Sequence, residues 1–174
     1  NHAPLSSIVH GAASRNGIDK ALAHGIAGRC VLADLVRHFA RTGRDWTPMG
    51  GQRATAEDLA ACLAAQGEAL RPGDILLVRT GWLTAFRAAP DAPARHQMIQ
   101  GVNGARDYSG LDGNEPMWRF LWDAGIAAVA ADNPTVEAWP IFPWKPALHL
   151  AIARLGLCLG EFFDLEALAE DSAA

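Results

Sequence analysis

Short, almost fully apolar runs recur along this chain, and each is followed by polar residues or a turn. The clearest runs have the length of strands: CVLADLV at 30–36, ILLV at 75–78 and IAAVAA at 126–131. Apolar runs without polar alternation are typical of strands buried on both faces, as in parallel sheets. We therefore predict three buried strands, the first of which carries Asp34 near its end; a helical turn is the alternative interpretation of that first run.

The stretches between these runs carry helix signals. Thr55 and Asp58 form a capping box before an apolar stripe, which predicts a helix to about Gln66. A second helix is predicted over 115–124, and residues 83–100 have a helical pattern that two prolines interrupt. The order strand, helix, strand predicts an α/β domain.

In two segments the hydrophobic residues follow neither helical nor strand periodicity. Residues 1–28 are predicted to form an extended arm or loop, and residues 38–54 a polar, glycine-rich loop. The arm contains His2, His10 and His24, but without the helical spacing and companion carboxylate of a metal site. We interpret these histidines as solvated or locally hydrogen-bonded.

Composition excludes several classes of protein. The 174 residues, half of them hydrophobic, suit one domain over 1–174, and a net charge of −4 with scattered arginines argues against a nucleic-acid partner. The sequence has no apolar run of membrane-spanning length and no signal-peptide pattern at its start, so we expect a cytoplasmic protein without a membrane partner. Cys30, Cys62 and Cys158 have neither disulfide nor zinc-ribbon spacing, and we expect reduced core thiols.

The segment PALHLAIARLGLCLGEFFDL at 146–165 holds the candidate catalytic pair, His149 and Glu161. Gly156 interrupts the pattern between them, so the two side chains can meet only if a helix carrying His149 packs against a strand that ends at Glu161. A carboxylate between glycine and two phenylalanines should be partly desolvated, which would call for a cation, a metal or a shifted pKa. A histidine held in the core by a hydrogen bond remains the alternative interpretation.

Polar residues also follow the third predicted strand. Asp132 and Asn133 stand where α/β proteins commonly place their sites, although Asp132 could equally cap the following turn. The glycine-rich stretch before Glu115 could offer backbone N–H groups to an anion. The aromatic segment 139–144 could line a pocket or pack against the start of the helix that carries His149.

Taken in order, these blocks resemble a known family. RCVLADLVRH, TAEDL, GDILLVRTGW, AGIAAVAADNPTVE and LHLAIARLGLCLGEFFDLEALA are similar to segments of the putative cyclase family, which includes bacterial kynurenine formamidase and isatin hydrolase. The resemblance implies a swivelling β/β/α fold with a mixed sheet flanked by helices. It covers about residues 11–169, and we expect the chain to be incomplete at both ends, with the family's first metal motif lying upstream.

The resemblance also implies an activity. Family members are metal-dependent hydrolases of carbon–nitrogen bonds other than peptide bonds, so we expect a small-molecule amide or cyclic amide substrate, a zinc or manganese ion and a metal-activated water. His149 and Glu161 match the family's later metal-site positions, as metal ligands or acid/base groups, and Trp82, Asp132 and Asn133 are the candidate substrate-binding residues. A homo-oligomer is expected. The alternative is a catalytically silent domain that binds a small acid or serves as an assembly partner.

Overall fold

The computed structural model describes residue 23 and residues 25–100, 107–141 and 147–173, without the side chains of 151–154. The predicted arm over 1–28, including its three histidines, therefore lies almost wholly outside the described residues. Among the helices described, none is long and apolar enough to cross a membrane.

Strands and helices alternate along the described chain, except that two helices follow one another between the third and fourth strands. The strands are β1 (Cys30–Asp34), β2 (Arg53–Ala54), β3 (Ile75–Arg79), β4 (Gly110–Leu111), β5 (Ala128–Ala131) and β6 (Cys158–Gly160). The helices are α1 (Leu35–Thr42), α2 (Ala56–Ala65), α3 (Trp82–Ala88), α4 (Ala92–Gln100), α5 (Glu115–Asp123), α6 (Leu148–Leu155) and α7 (Glu166–Asp171).

Four of the strands form one sheet in the order β1, β3, β5, β6, and every neighbouring pair is parallel. A separate parallel pair joins β2 to β4. Parallel neighbours require a crossover, which the intervening helices supply. The α/β class with sheets flanked by helices is confirmed.

Both faces of the four-stranded sheet are covered. On one face, alternate residues of β1, β3 and β5 pack with side chains of α1, α2, α5 and α6 in the larger core cluster. On the other face, Leu32, Leu77 and Ala130 pack with Leu165 and Ala169 at α7. Burial on both sides explains why these strands are apolar throughout instead of alternating.

The helix that begins with the capping box is confirmed. Thr55 accepts a hydrogen bond from the backbone N–H of Asp58, and the Asp58 carboxylate accepts one from the backbone N–H of Thr55. The helix ends at Ala65, and Gly67 has a φ of +74° directly beyond the cap. The proline-interrupted pattern over 83–100 is resolved into α3 and α4.

The prediction of a strand over 30–36 was too long. The strand ends at Asp34, whose Oδ1 accepts a hydrogen bond from the backbone N–H of Arg37 at 3.0 Å and so caps α1. The predicted loop over 38–54 therefore begins with helical residues up to Thr42 and ends in the strand β2. Asp34 is a strong helix-capping residue type, and Gly43 ends the helix at a φ of +71°.

Candidate functional site

Polar side chains collect at the carboxyl edge of the four-stranded sheet. Asp34 and Arg79 end β1 and β3 in register, while Asp132 and Glu161 directly follow β5 and β6. Because all four strands are parallel, their carboxyl ends share one edge. This shared edge therefore holds two of the candidate site residues, Asp132 and Glu161, which follow different strands.

The structure brings His149 and Glu161 together. His149 lies at the start of α6, and Glu161 follows β6, against which this helix packs. The Nε2 atom of His149 lies 3.2 Å from Oε1 of Glu161. The predicted meeting of a helix and a strand end therefore occurs in the described fold, while the catalytic role of the pair stays a prediction.

A third residue, Glu137, completes this cluster and was not identified from the sequence. Its Oε1 lies 2.6 Å from Nδ1 of His149, on the opposite side of the ring from Glu161. The Glu137 side chain is only 1% exposed, whereas that of His149 is 39% exposed. The sequence did contain one signal for it: Glu137 stands between apolar Val136 and Ala138, which indicates a buried carboxylate, and a buried charge needs a partner.

The surrounding backbone is arranged to accommodate Glu137. The other carboxylate oxygen, Oε2, accepts a hydrogen bond at 2.8 Å from the backbone N–H of Leu148 at the start of α6. A Cβ at Gly113 would collide with that same oxygen. Gly113 is thus accounted for by the close approach of Glu137, which is an alternative to the predicted anion-binding loop.

These contacts also determine the electrostatics of His149. The hydrogen bond to Glu137 raises the pKa of His149, the contact with Glu161 acts in the same direction, and desolvation opposes both. An imidazole between two carboxylates is stabilised in its protonated form. In the neutral form, an unprotonated Nε2 and Oε1 of Glu161 together present two ligand atoms suited to a cation.

The expectation of a partly desolvated Glu161 agrees with a side chain that still reaches solvent. Its side chain is 36% exposed, and the neighbouring Phe162 and Phe163 are 50% and 45% exposed. The sheet ends at Gly160, so the residues that follow lie at its open edge. The buried carboxylate of the cluster is Glu137.

Asp132 makes contacts that organise the backbone. Its Oδ1 accepts hydrogen bonds from the backbone N–H and the hydroxyl of Thr80, and its Oδ2 accepts one from the backbone N–H of Gly81. Burial raises the pKa of Asp132, and these hydrogen bonds oppose that shift. Asp132 therefore caps the turn after the neighbouring strand β3, not the turn that follows it in sequence.

Asn133 and Trp82 are both buried close to these turns. The Asn133 side-chain amide donates to the backbone carbonyl of Ser109 at 2.9 Å and also approaches that of Glu137. Trp82 is 1% exposed, with its ring packed against Phe86, Tyr108 and Phe162. In the described fold Asn133 contacts the backbone of Glu137 and Trp82 contacts Phe162, and substrate binding by them stays a prediction.

The three cysteines were expected to lie in the core, and they differ in burial. Cys62 is buried and Cys158 is partly buried, but Cys30 is exposed because it begins the edge strand β1. All three are free thiols. None of them lies among the contacts of the histidine cluster described above.

The pair His149 and Glu161 fits part of a metal site. Two ligand atoms each about 2.0–2.1 Å from a tetrahedral ion are about 3.3 Å apart, close to the 3.2 Å between Nε2 and Oε1. A carboxylate on the far ring nitrogen is the usual partner of a ligating histidine. Within the described ranges, however, no group of three or more His, Cys, Asp or Glu residues is arranged to hold a metal.

Comparison with known proteins agrees with this fold. The family model described as "Putative cyclase" matches residues 4–138. A crystal structure described as that of a novel cyclase has 32% sequence identity and a TM-score of 0.77, and the match covers 99% of this chain and 53% of that one. The chain thus spans about half of the length of that structure. Comparison with curated proteins found no match to this chain. Because the family model matches most of the chain and the solved structure agrees in both sequence and fold, this chain belongs to the putative cyclase family.

Proposed function

We propose that this chain is part of a metal-dependent hydrolase that cleaves the carbon–nitrogen bond of a small amide or cyclic amide. The observation that carries the proposal is the row of Glu137, His149 and Glu161, in which a buried carboxylate supports a half-exposed imidazole beside an exposed carboxylate. Membership of the putative cyclase family is consistent with an enzyme.

His149 Nε2 and Glu161 Oε1 are the atoms that would hold a zinc or manganese ion. The remaining ligands would come from outside the described residues. When bound, the ion would supply Lewis acidity, which polarises an amide carbonyl and makes water a stronger acid.

The other steps fall to side chains of this chain. Within the described residues, the contact of Glu161 with His149 uses Oε1, so Oε2 is open to accept a proton from the attacking water. The same carboxylate can return that proton to the departing nitrogen, which must be protonated to leave as an amine. Glu137 keeps His149 in place through Nδ1, which leaves Nε2 facing Glu161.

Substrate binding would involve the aromatic residues beside Glu161. Phe162 is half exposed and contacts Trp82 edge to face, with 5.5 Å between ring centroids. Trp82 would then act on the substrate by supporting Phe162. Asp132 and Asn133 would act by holding the turns at Thr80 and Ser109.

The test uses the full-length protein, because this chain spans about half of its solved relative. We expect the purified protein to contain a divalent metal and to hydrolyse members of a panel of N-formyl arylamines and cyclic amides. Glu161→Gln should lower turnover by about 100-fold or more, since it removes the proposed base and one metal-binding charge.

Glu170→Gln is the matched control, because it makes the same chemical change at an exposed position of α7. It should leave metal content and turnover unchanged. Full turnover in Glu161→Gln would refute the assigned role. Absence of both metal and hydrolysis in the wild-type protein would refute the proposed function and favour a catalytically silent binding domain.

A further inference from the structure

We infer that Glu137 is a positioning residue that holds the proton of neutral His149 on Nδ1, leaving the Nε2 lone pair directed towards Glu161. This inference rests on the proposed function for its purpose, but its structural content can be tested separately. It concerns a residue that the sequence patterns did not identify.

The first step is that the Glu137 carboxylate cannot easily reorient. Its Oε2 accepts a hydrogen bond from the backbone N–H of Leu148 at 2.8 Å, and Oε1 lies 3.4 Å from the backbone N–H of His149. The absence of a side chain at Gly113 leaves just enough space for Oε2. The carboxylate is therefore held by the start of the very helix that carries the imidazole.

The backbone of Glu137 is held from the other side. Its carbonyl accepts a hydrogen bond from the Thr135 hydroxyl at 2.6 Å, and the amide of Asn133 approaches the same oxygen at 3.5 Å. A Cβ at Gly110 would lie 2.7 Å from the carbonyl carbon of Glu137. Both ends of the residue are thus fixed by close packing.

The second step concerns the two sides of the imidazole. The contact of Nδ1 with Glu137 is 2.6 Å long and partly buried, and its carboxylate is 1% exposed, whereas the contact of Nε2 with Glu161 is 3.2 Å long and exposed. A buried carboxylate that loses its donor is left unsatisfied, which costs about 1–3 kcal/mol or more, whereas water can replace the donor to Glu161. The neutral ring therefore keeps its proton on Nδ1.

The consequence is a pre-oriented donor atom. A histidine can offer a lone pair to a metal or accept a proton only through its unprotonated nitrogen. With Nδ1 bound to Glu137, that nitrogen is Nε2, the atom that faces Glu161. The buried position of Glu137 means that this role needs no direct contact with the substrate.

Glu137→Gln provides a specific test because it should reverse the tautomer. The backbone N–H of Leu148 requires an acceptor, so the amide oxygen of the glutamine should occupy the position of Oε2. The amide NH₂ group must then face Nδ1 of His149 and donate to it. Nδ1 becomes the acceptor, and the proton of the neutral ring moves to Nε2.

The measurement is ¹⁵N NMR of ring-labelled full-length protein without metal, at a pH where His149 is neutral. Protonated and unprotonated ring nitrogens have well-separated shifts, and the His149 signals are identified by their loss in His149→Gln. We expect the Nδ1–H form in the wild type and the Nε2–H form in Glu137→Gln. Glu166→Gln is the matched control, since Glu166 pairs with Arg79, and it should leave the His149 signals unchanged.

Two results would overturn the inference. One is an Nε2–H tautomer in the wild type, which needs no variant, and the other is an unchanged tautomer in folded Glu137→Gln. A second readout is zinc affinity, measured by competition with a chromophoric chelator, which we expect to fall 10–100-fold in Glu137→Gln. If the protein binds no zinc and hydrolyses no amide, the proposed function fails, but the tautomer measurement still decides the role of Glu137.

Discussion

Replacing Gly113 with alanine should disrupt the cluster of Glu137, His149 and Glu161 although none of these three residues is substituted. A Cβ at Gly113 would collide with Oε2 of Glu137 and would lie 3.1 Å from the backbone nitrogen of Leu148. To restore an ordinary C···O separation of about 3.3 Å, the carboxylate must retreat by about 1 Å. Helix packing leaves little room for this movement, because Glu137 is 1% exposed.

The size of the effect follows from the bonds that this movement breaks. Glu137 accepts a hydrogen bond from Leu148 N at 2.8 Å and contacts His149 Nδ1 at 2.6 Å, and a displacement of about 1 Å away from both partners would lengthen both contacts beyond hydrogen-bonding range. Each bond to a buried charge contributes about 1.5–3 kcal/mol, so Gly113→Ala should reduce the free energy of unfolding by about 3–6 kcal/mol. That is a large part of a typical total of about 5–15 kcal/mol.

The assay is equilibrium unfolding in urea, followed by tryptophan fluorescence. Gly67→Ala is the control, because an added Cβ there meets nothing within 4 Å and only the φ of +74° is unfavourable, at a cost of about 1–2 kcal/mol. If Gly113→Ala is destabilised no more than Gly67→Ala, the packing of Glu137 against Gly113 does not have the importance assigned to it.

Two further predictions concern the carboxyl edge and the thiols. Hydrogen bonds from Arg79 lower the pKa of Glu166, so the pair should stabilise the fold above the ordinary pKa of 4.5 and lose that contribution as pH falls through the lowered value. The stability difference between wild type and Glu166→Gln, measured by urea unfolding, should therefore be largest near pH 6 and shrink towards pH 3; a constant difference would contradict this. Burial raises the pKa of Cys62 to about 12, so iodoacetamide at pH 8 should modify exposed Cys30 in the folded protein and Cys62 only after unfolding, as peptide mass spectrometry would show. Equal labelling of both thiols in the folded protein would argue against the described burial.

Only part of the candidate site could be predicted from sequence patterns. The pairing of His149 with Glu161 could be anticipated, because a helix followed by a strand returns the chain to the same edge of a parallel sheet. Glu137 could not be placed in the same way, since it lies in neither a helix nor one of the named strands. Its role depends on the meeting of three segments, at Gly113, at Leu148 and around Asn133.

For Asp132, likewise, the sequence indicated the location but not the hydrogen-bond partners. Its position after an apolar strand indicated a polar group at the carboxyl edge, but the partner could not be identified. In the fold, β5 lies beside β3, so Asp132 reaches the turn at Thr80 and Gly81, some fifty residues earlier in the chain. A hydrogen bond between neighbouring parallel strands depends on strand order, which local periodicity does not encode.

The sequence by itself determined the α/β class, the buried strands and the capped helix at Thr55, because apolar periodicity and capping are local properties of a chain. It also indicated the family, through the order of its blocks. Only the tertiary structure decided that Glu161 is exposed, that Glu137 is buried against His149 and that Asp34 begins a helix. Burial and partner choice are set by which segments pack together, and the chain must be folded before those contacts exist.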